Sequence, residues 1–243
     1  MFNGGAYSGT LEHFGQLEVL NNIITTDTVF YGNSAGSVFA LITFLFVNGH
    51  IKQENINEIR MEFIEAMKTC EYINTTYFVF KLLRSFNKYV YHDMYKGVSG
   101  KVIIGVTRRK GFKWIRKYKS NYHFFKTIIH SCNLSCMSTF THKYLDGCYG
   151  YNAYQHLPND TLIAHTTYPP PLCLIPITNN WIVEYLYNLG KTKMTLEIER
   201  YEKNGMEVLV DAPINYMWFF DLHEKQCVID RKWNRELKRL FHS

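Results

Sequence analysis

Five consecutive residues, Gly32, Asn33, Ser34, Ala35 and Gly36, constrain the fold of this chain more than any others. They form a G-x-S-x-G turn between a β-rich run, Thr28 to Tyr31, and an apolar run, Val38 to Val47. A serine on a sharp strand-to-helix turn needs small neighbours, because its backbone is strained and packs against adjoining segments. The helix that follows aims its free N–H groups at negative charge forming near the serine. The same letters also suit an ordinary turn; the strand–turn–helix setting is what favours a nucleophile. That setting predicts a layered α/β sheet.

The rest of the chain fits one globular unit spanning residues 1–243. Its 47% hydrophobic content can fill a substantial core, and no repeat, low-complexity tract or linker interrupts it. Leu11, Phe14, Leu17 and Leu20 form an apolar stripe, and Ile56, Ile59, Phe63 and Met67 form another at helical spacing. Phe78, Leu82 and Phe86 predict a further amphipathic helix, and Ile229, Trp233, Leu237 and Leu240 a closing one. Val102 to Val106, Phe112 to Tyr118 and Leu162 to Ala164 read as strands.

Several classes are disfavoured. No charged segment followed by an apolar run stands at the start, so no secretory signal is expected. The Val38 to Val47 run is about half the length of a membrane-spanning helix and fits a buried core helix better. Six scattered cysteines without a C-x-x-C pair fit reduced thiols, hence a cytoplasmic or peripheral membrane location. Cys132 and Cys136 lie near His130, but no second ligand pair at metal spacing follows, so no metal and no cofactor is expected.

Two more segments carry chemistry. Asn3, Gly4, Gly5, Ala6, Tyr7, Ser8 and Gly9 form a glycine-rich turn whose N–H groups can converge on an oxyanion, while the lysine of a phosphate-binding P-loop is missing. Leu145, Asp146, Gly147, Cys148, Tyr149 and Gly150 place an aspartate beside glycine, which alone is ordinary turn chemistry. A conventional α/β-hydrolase sets several strands before its nucleophile, and Ser34 comes too early for that.

In order and spacing, the three segments together resemble the patatin-like phospholipase family over roughly residues 1 to 165, including the small-residue stretch His130 to Phe140 before the aspartate. The resemblance implies a three-layer α/β/α patatin-like fold with a mostly parallel central sheet. It also implies a lipid acyl hydrolase, a phospholipase A or lipase-type esterase, that works through an acyl-enzyme. Ser34 falls on the nucleophile and Asp146 on the dyad aspartate; Gly4, Gly5 and Ala6 fall on the oxyanion loop, and Gly32 and Gly36 on the nucleophile elbow. Ala6 replaces the family's third glycine and Ser8 its usual basic residue. Those departures favour the alternative, a catalytically weak patatin-fold protein that binds lipid or a partner.

Net charge is +6, and Arg108, Arg109, Lys110, Lys113, Arg116, Lys117 and Lys119 cluster with Phe112, Trp114 and Tyr118. Such a mixture can read as nucleic-acid binding, yet no nucleic-acid fold motif accompanies it, and none is expected as partner. Peripheral contact with an anionic membrane through Arg108, Arg109, Lys110, Lys113 and Arg116 suits a lipid ester substrate better. A hairpin with one solvated face explains the cluster equally well.

Overall fold

The computed structural model describes residues 1–68, 79, 82–108, 110–133, 144–149, 157–158, 161–164, 166 and 179–204. The chain is mixed α/β. It runs through α1 (Ala6–Leu20), β1 (Phe30–Asn33), α2 (Ala35–Val47), α3 (Gln53–Lys68), α4 (Met94–Val98), β2 (Val102–Arg108), β3 (Gly111–Ile115), α5 (Asn121–Ser131), β4 (Tyr144–Leu145) and α6 (Asn180–Asn204).

The sheet is open and mixed. β1 pairs with β2 in parallel, with Asn33 opposite Gly105, while β3 and β4 both pair antiparallel with β2. β3 occupies one edge of β2 from Ile104 to Arg108. The other edge is shared: β1 covers it as far as Gly105, and β4 takes over with Leu145 opposite Thr107. β1 and β4 therefore run toward each other along one edge and stop on either side of Val106. Whatever follows β1 meets whatever follows β4 at that gap.

The strand expected from Leu162 to Ala164 shrinks to a single bridge. Phe2 pairs in parallel with both Gly32 and Ala164, which extends the sheet beyond β1 by isolated residues of the 1–3 and 162–164 segments. β1 itself starts two residues later than the Thr28 to Tyr31 run and takes in Gly32 and Asn33, because pairing with β2 continues to the elbow. The run expected from Phe112 to Tyr118 ends as a strand at Ile115. Beyond it, the Tyr118 hydroxyl reaches back to the Val102 carbonyl (2.9 Å).

One sheet face carries Phe30, Val102, Ile104 and Val106 into the main core with residues of α1, α2, α3, α5 and α6. The other face carries Tyr31 and Ile103 into a smaller cluster with Trp114, Leu157 and Ile163 rather than a described helix. β2 is apolar on both faces and buried from Val102 to Thr107, as a central strand must be. In α2, all residues from Gly36 to Leu45 are buried, which is why its sequence is hydrophobic all round. α5 starts at Ser120, whose hydroxyl caps the His123 N–H (3.1 Å).

α6 has no counterpart in the sequence expectations. It packs along α1, with Lys193 on the buried Glu12 (2.8 Å) and Lys191 on Glu18 (2.7 Å). Of the helix expected around Phe78, Leu82 and Phe86, residues 82–85 are helical and Phe86–Tyr89 form a 3-10 turn, with Phe78 outside the described residues. The closing helix at Ile229 to Leu240 lies wholly outside them.

Candidate active site

The gap over Val106 holds the two residues that follow the converging strands. Ser34 comes directly after β1 and Asp146 directly after β4. The Ser34 hydroxyl donates to Asp146 Oδ2 at 2.6 Å across 112 residues of chain.

Ser34 adopts φ 50°, ψ −131°, a region that non-glycine residues avoid and that stores on the order of 1–3 kcal/mol. The surroundings hold it there. Its N–H donates to Ser131 Oγ (2.8 Å), and that hydroxyl donates to the Gly105 carbonyl of β2 (2.6 Å). The Ser34 carbonyl accepts from both the N–H (2.9 Å) and the hydroxyl (2.6 Å) of Ser37. Small residues on each side are required by contact: a Cβ on Gly32 would overlap the Gly36 carbonyl, and one on Gly36 would overlap the Phe2 and Asn3 carbonyls. Those overlaps also show that the N-terminal segment lies against the elbow.

Asp146 is fully buried. Its Oδ1 accepts from the Cys148 N–H (2.8 Å), and its own N–H donates to the Asn133 carbonyl (2.9 Å). Asn133 in turn donates through Nδ2 to the Tyr144 carbonyl (2.5 Å), which ties the end of α5 to β4. Burial pushes the Asp146 carboxyl from 3.8 up to about 6, against the opposing pull of the hydrogen bonds from Ser34 and Cys148. The neighbouring Cys132 thiol is pushed up strongly by its own burial and by the Asp146 charge, so it stays a neutral thiol.

The glycine segment enters α1 with Gly5 as the cap and Ala6 as the first helical residue. The Gly4 N–H donates to Asn3 Oδ1 (2.9 Å), so in this conformation it is occupied within its own loop. The Gly4 carbonyl accepts from the Thr166 hydroxyl. The Asn3 carbonyl accepts from His13 Nε2 (2.6 Å), whose Nδ1 lies 2.6 Å from Gln16 Oε1. His13 is buried between Phe2 and Phe39, and that burial lowers its pKa against the opposing pull of its contacts with Gln16 and the Asn3 carbonyl. The Ser8 hydroxyl donates to the Gly5 carbonyl (3.4 Å).

No protein-family model matches this chain, and no match was found among curated proteins or solved structures.

Geometry therefore gathers Ser34, Asp146, Gly32 and Gly36 into one constellation, with Gly4 and Gly5 beside it through the Phe2–Asn3 backbone. The positioning residues Ser131, Asn133 and His13 went unnoticed in the sequence. Ser131 lies in the small-residue stretch before the aspartate, which was its only signal; a lone histidine on a helix has none. The basic cluster splits. Lys110, Lys113 and Arg116 are exposed, Arg109 lies outside the described residues, and Arg108 turns inward over the Tyr144 ring (4.9 Å). Among the described residues, no helix is long and apolar enough to cross a membrane.

Proposed function

We propose that the chain is a serine-dependent lipid acyl hydrolase in which Ser34 is the nucleophile and Asp146 its base. The single observation that carries this reading is the 2.6 Å hydrogen bond from a strained, elbow-borne serine to a buried carboxylate. Asp146, poised near 6, is a stronger base than a solvated carboxylate yet still ionised at neutral pH. It takes the hydroxyl proton as Ser34 Oγ attacks the ester carbonyl; collapse of the tetrahedral adduct expels the alcohol, which takes that proton. Water then attacks the acyl carbonyl as Asp146 accepts its proton, and collapse of the second adduct breaks the bond to Ser34 Oγ, which takes that proton back as the carboxylic acid leaves.

The oxyanion would be met by N–H groups of the Gly4 to Ala6 segment and by the N-terminus of α2, with Gly4 exchanging Asn3 Oδ1 for the substrate oxygen. The lipid class of ester follows from the resemblance to patatin-like phospholipases, as does the finer three-layer architecture. The glycine segment leading into α1 and the strand–elbow–α2 unit support both. Exposed Lys110, Lys113 and Arg116 would supply peripheral contact with an anionic membrane. Occupation of the Gly4 N–H by Asn3 favours the second reading, a weakly catalytic protein of the same fold.

Hydrolysis of a short p-nitrophenyl ester tests the proposal. Ser34→Ala and Asp146→Asn should each abolish turnover; full activity in either variant would overturn the assignment.

A further inference from the structure

Beside the dyad lies a second feature that ester hydrolysis leaves unexplained. A cavity of about 370 Å³ opens between the ends of β2 and β4 and one side of α5, lined by Val106, Arg108, Tyr122, His123, Lys126 and Tyr144 among others. No carboxylate among the described residues lines it. Among the described residues, neither Arg108 nor Lys126 is paired with an acid, and the buried Nε of Arg108 has no hydrogen-bond partner. Lys126 Nζ donates to the Tyr122 hydroxyl (3.2 Å).

The cations converge. His130, also in the wall, is held neutral first by its burial and then by the positive charges of Lys126, His123 and Arg108 acting together on its ring. Arg108, Lys126 and His123 face one space with no counter-charge among the described residues, and an anion between them would attract both cations and favour a protonated imidazole. Arg108 offers a planar fork suited to two oxygens, while Lys126 offers a mobile point charge. His123 accepts the Lys119 N–H at Nδ1 (3.1 Å), which leaves Nε2 as the protonated nitrogen of the neutral ring. The space is larger than a bare tetrahedral oxyanion, and Val106, Ile115 and the two tyrosines give it an apolar and aromatic wall for an organic remainder.

We propose that this cavity binds the phosphoryl group of an organic ligand through Arg108, Lys126 and His123, next to the strand that delivers Asp146. Tyr144 couples the two sites. Its ring is stacked on His130 (4.3 Å) and lies under the Arg108 guanidinium, and two residues later the chain reaches the dyad. The phosphoryl group belongs either to a lipid headgroup or to a soluble phosphate ester, and the recognition chemistry is the same for both.

Isothermal titration of the full-length Ser34→Ala protein separates the sources and stands apart from the hydrolase reading, since no turnover is required. The probes are inorganic phosphate, glycerol phosphate, monodisperse dihexanoylphosphatidic acid and, as a carboxylate control, hexanoate. Saturable one-to-one binding of glycerol phosphate or the phosphatidic acid is expected, weakened at least tenfold by Arg108→Gln combined with Lys126→Gln. Binding of glycerol phosphate assigns a soluble ester, and binding of the phosphatidic acid alone assigns a headgroup. If the double variant loses its circular dichroism, Lys126→Gln alone should weaken binding several-fold. Saturation by none of the phosphates, saturation by inorganic phosphate only, equal binding of hexanoate, or unchanged affinity in the folded variants would each overturn the proposal.

Discussion

Two glycine-containing turns enter helices side by side in this molecule, and they are held in opposite ways. The elbow at Ser34 is fixed largely by backbone: β1 ends against β2 and Gly36 packs on the Phe2 and Asn3 carbonyls, with the Ser131 hydroxyl adding one side-chain link from the Ser34 N–H to the sheet. The Gly4–Gly5 turn is fixed by side chains: Asn3 on the Gly4 N–H, Thr166 on the Gly4 carbonyl and His13 on the Asn3 carbonyl. A backbone-held turn cannot yield without unfolding. A turn held by side-chain hydrogen bonds can exchange partners, as an oxyanion loop must when substrate charge arrives.

Gly36→Ala should break that contrast with the largest effect. The new methyl meets two main-chain oxygens that cannot swing aside, so the loss should exceed the usual overpacking range of about 1–3 kcal/mol. Thermal denaturation would read this as a collapse of Tm or loss of soluble protein.

Next in size is Asp146→Asn, which should separate stability from activity. A carboxyl whose pKa rises from 3.8 to about 6 on folding binds its proton more tightly in the native state. Its contribution is fully present below 3.8 and is lost as pH climbs to about 6, so at neutral pH the charged form destabilises the protein. The amide keeps hydrogen-bonding capacity toward Ser34 and Cys148 without the charge. At pH 7 the variant should be inactive yet more stable than the parent, by up to about 3 kcal/mol in a denaturant titration. Equal or lower stability would contradict the desolvation reading.

Smaller losses should follow at the two supports. Ser131→Ala strands the buried Ser34 N–H and should cost about 1–3 kcal/mol in denaturant unfolding, with turnover falling in parallel. Thr166→Val removes one hydrogen bond from the adjustable loop and should cost about 0.5–1.5 kcal/mol, with most of the fold's stability retained.

The sequence was legible where local pattern and tertiary role coincide. The hydrophobic run after Ser34 had to become a buried helix, and the all-apolar Val102 to Val106 run had to become a central strand. The meeting of Ser34 and Asp146 was legible only through family resemblance, since nothing local says that β1 and β4 share one edge of β2. α6 was missed because its inward residues Val183, Leu186 and Met194 are sparse among polar ones, and buried ion pairing with α1 does part of the holding. The Leu162 to Ala164 strand is shorter than expected for the opposite reason: apolar composition favours pairing but does not fix its length.

The most direct test is covalent. A fluorophosphonate probe should label the wild-type protein at Ser34, identified by peptide mass, with a labelling rate that rises as pH passes through about 6 and Asp146 loses its proton. Absence of labelling, or labelling that persists in Ser34→Ala, would contradict the assignment of Ser34 as an activated nucleophile.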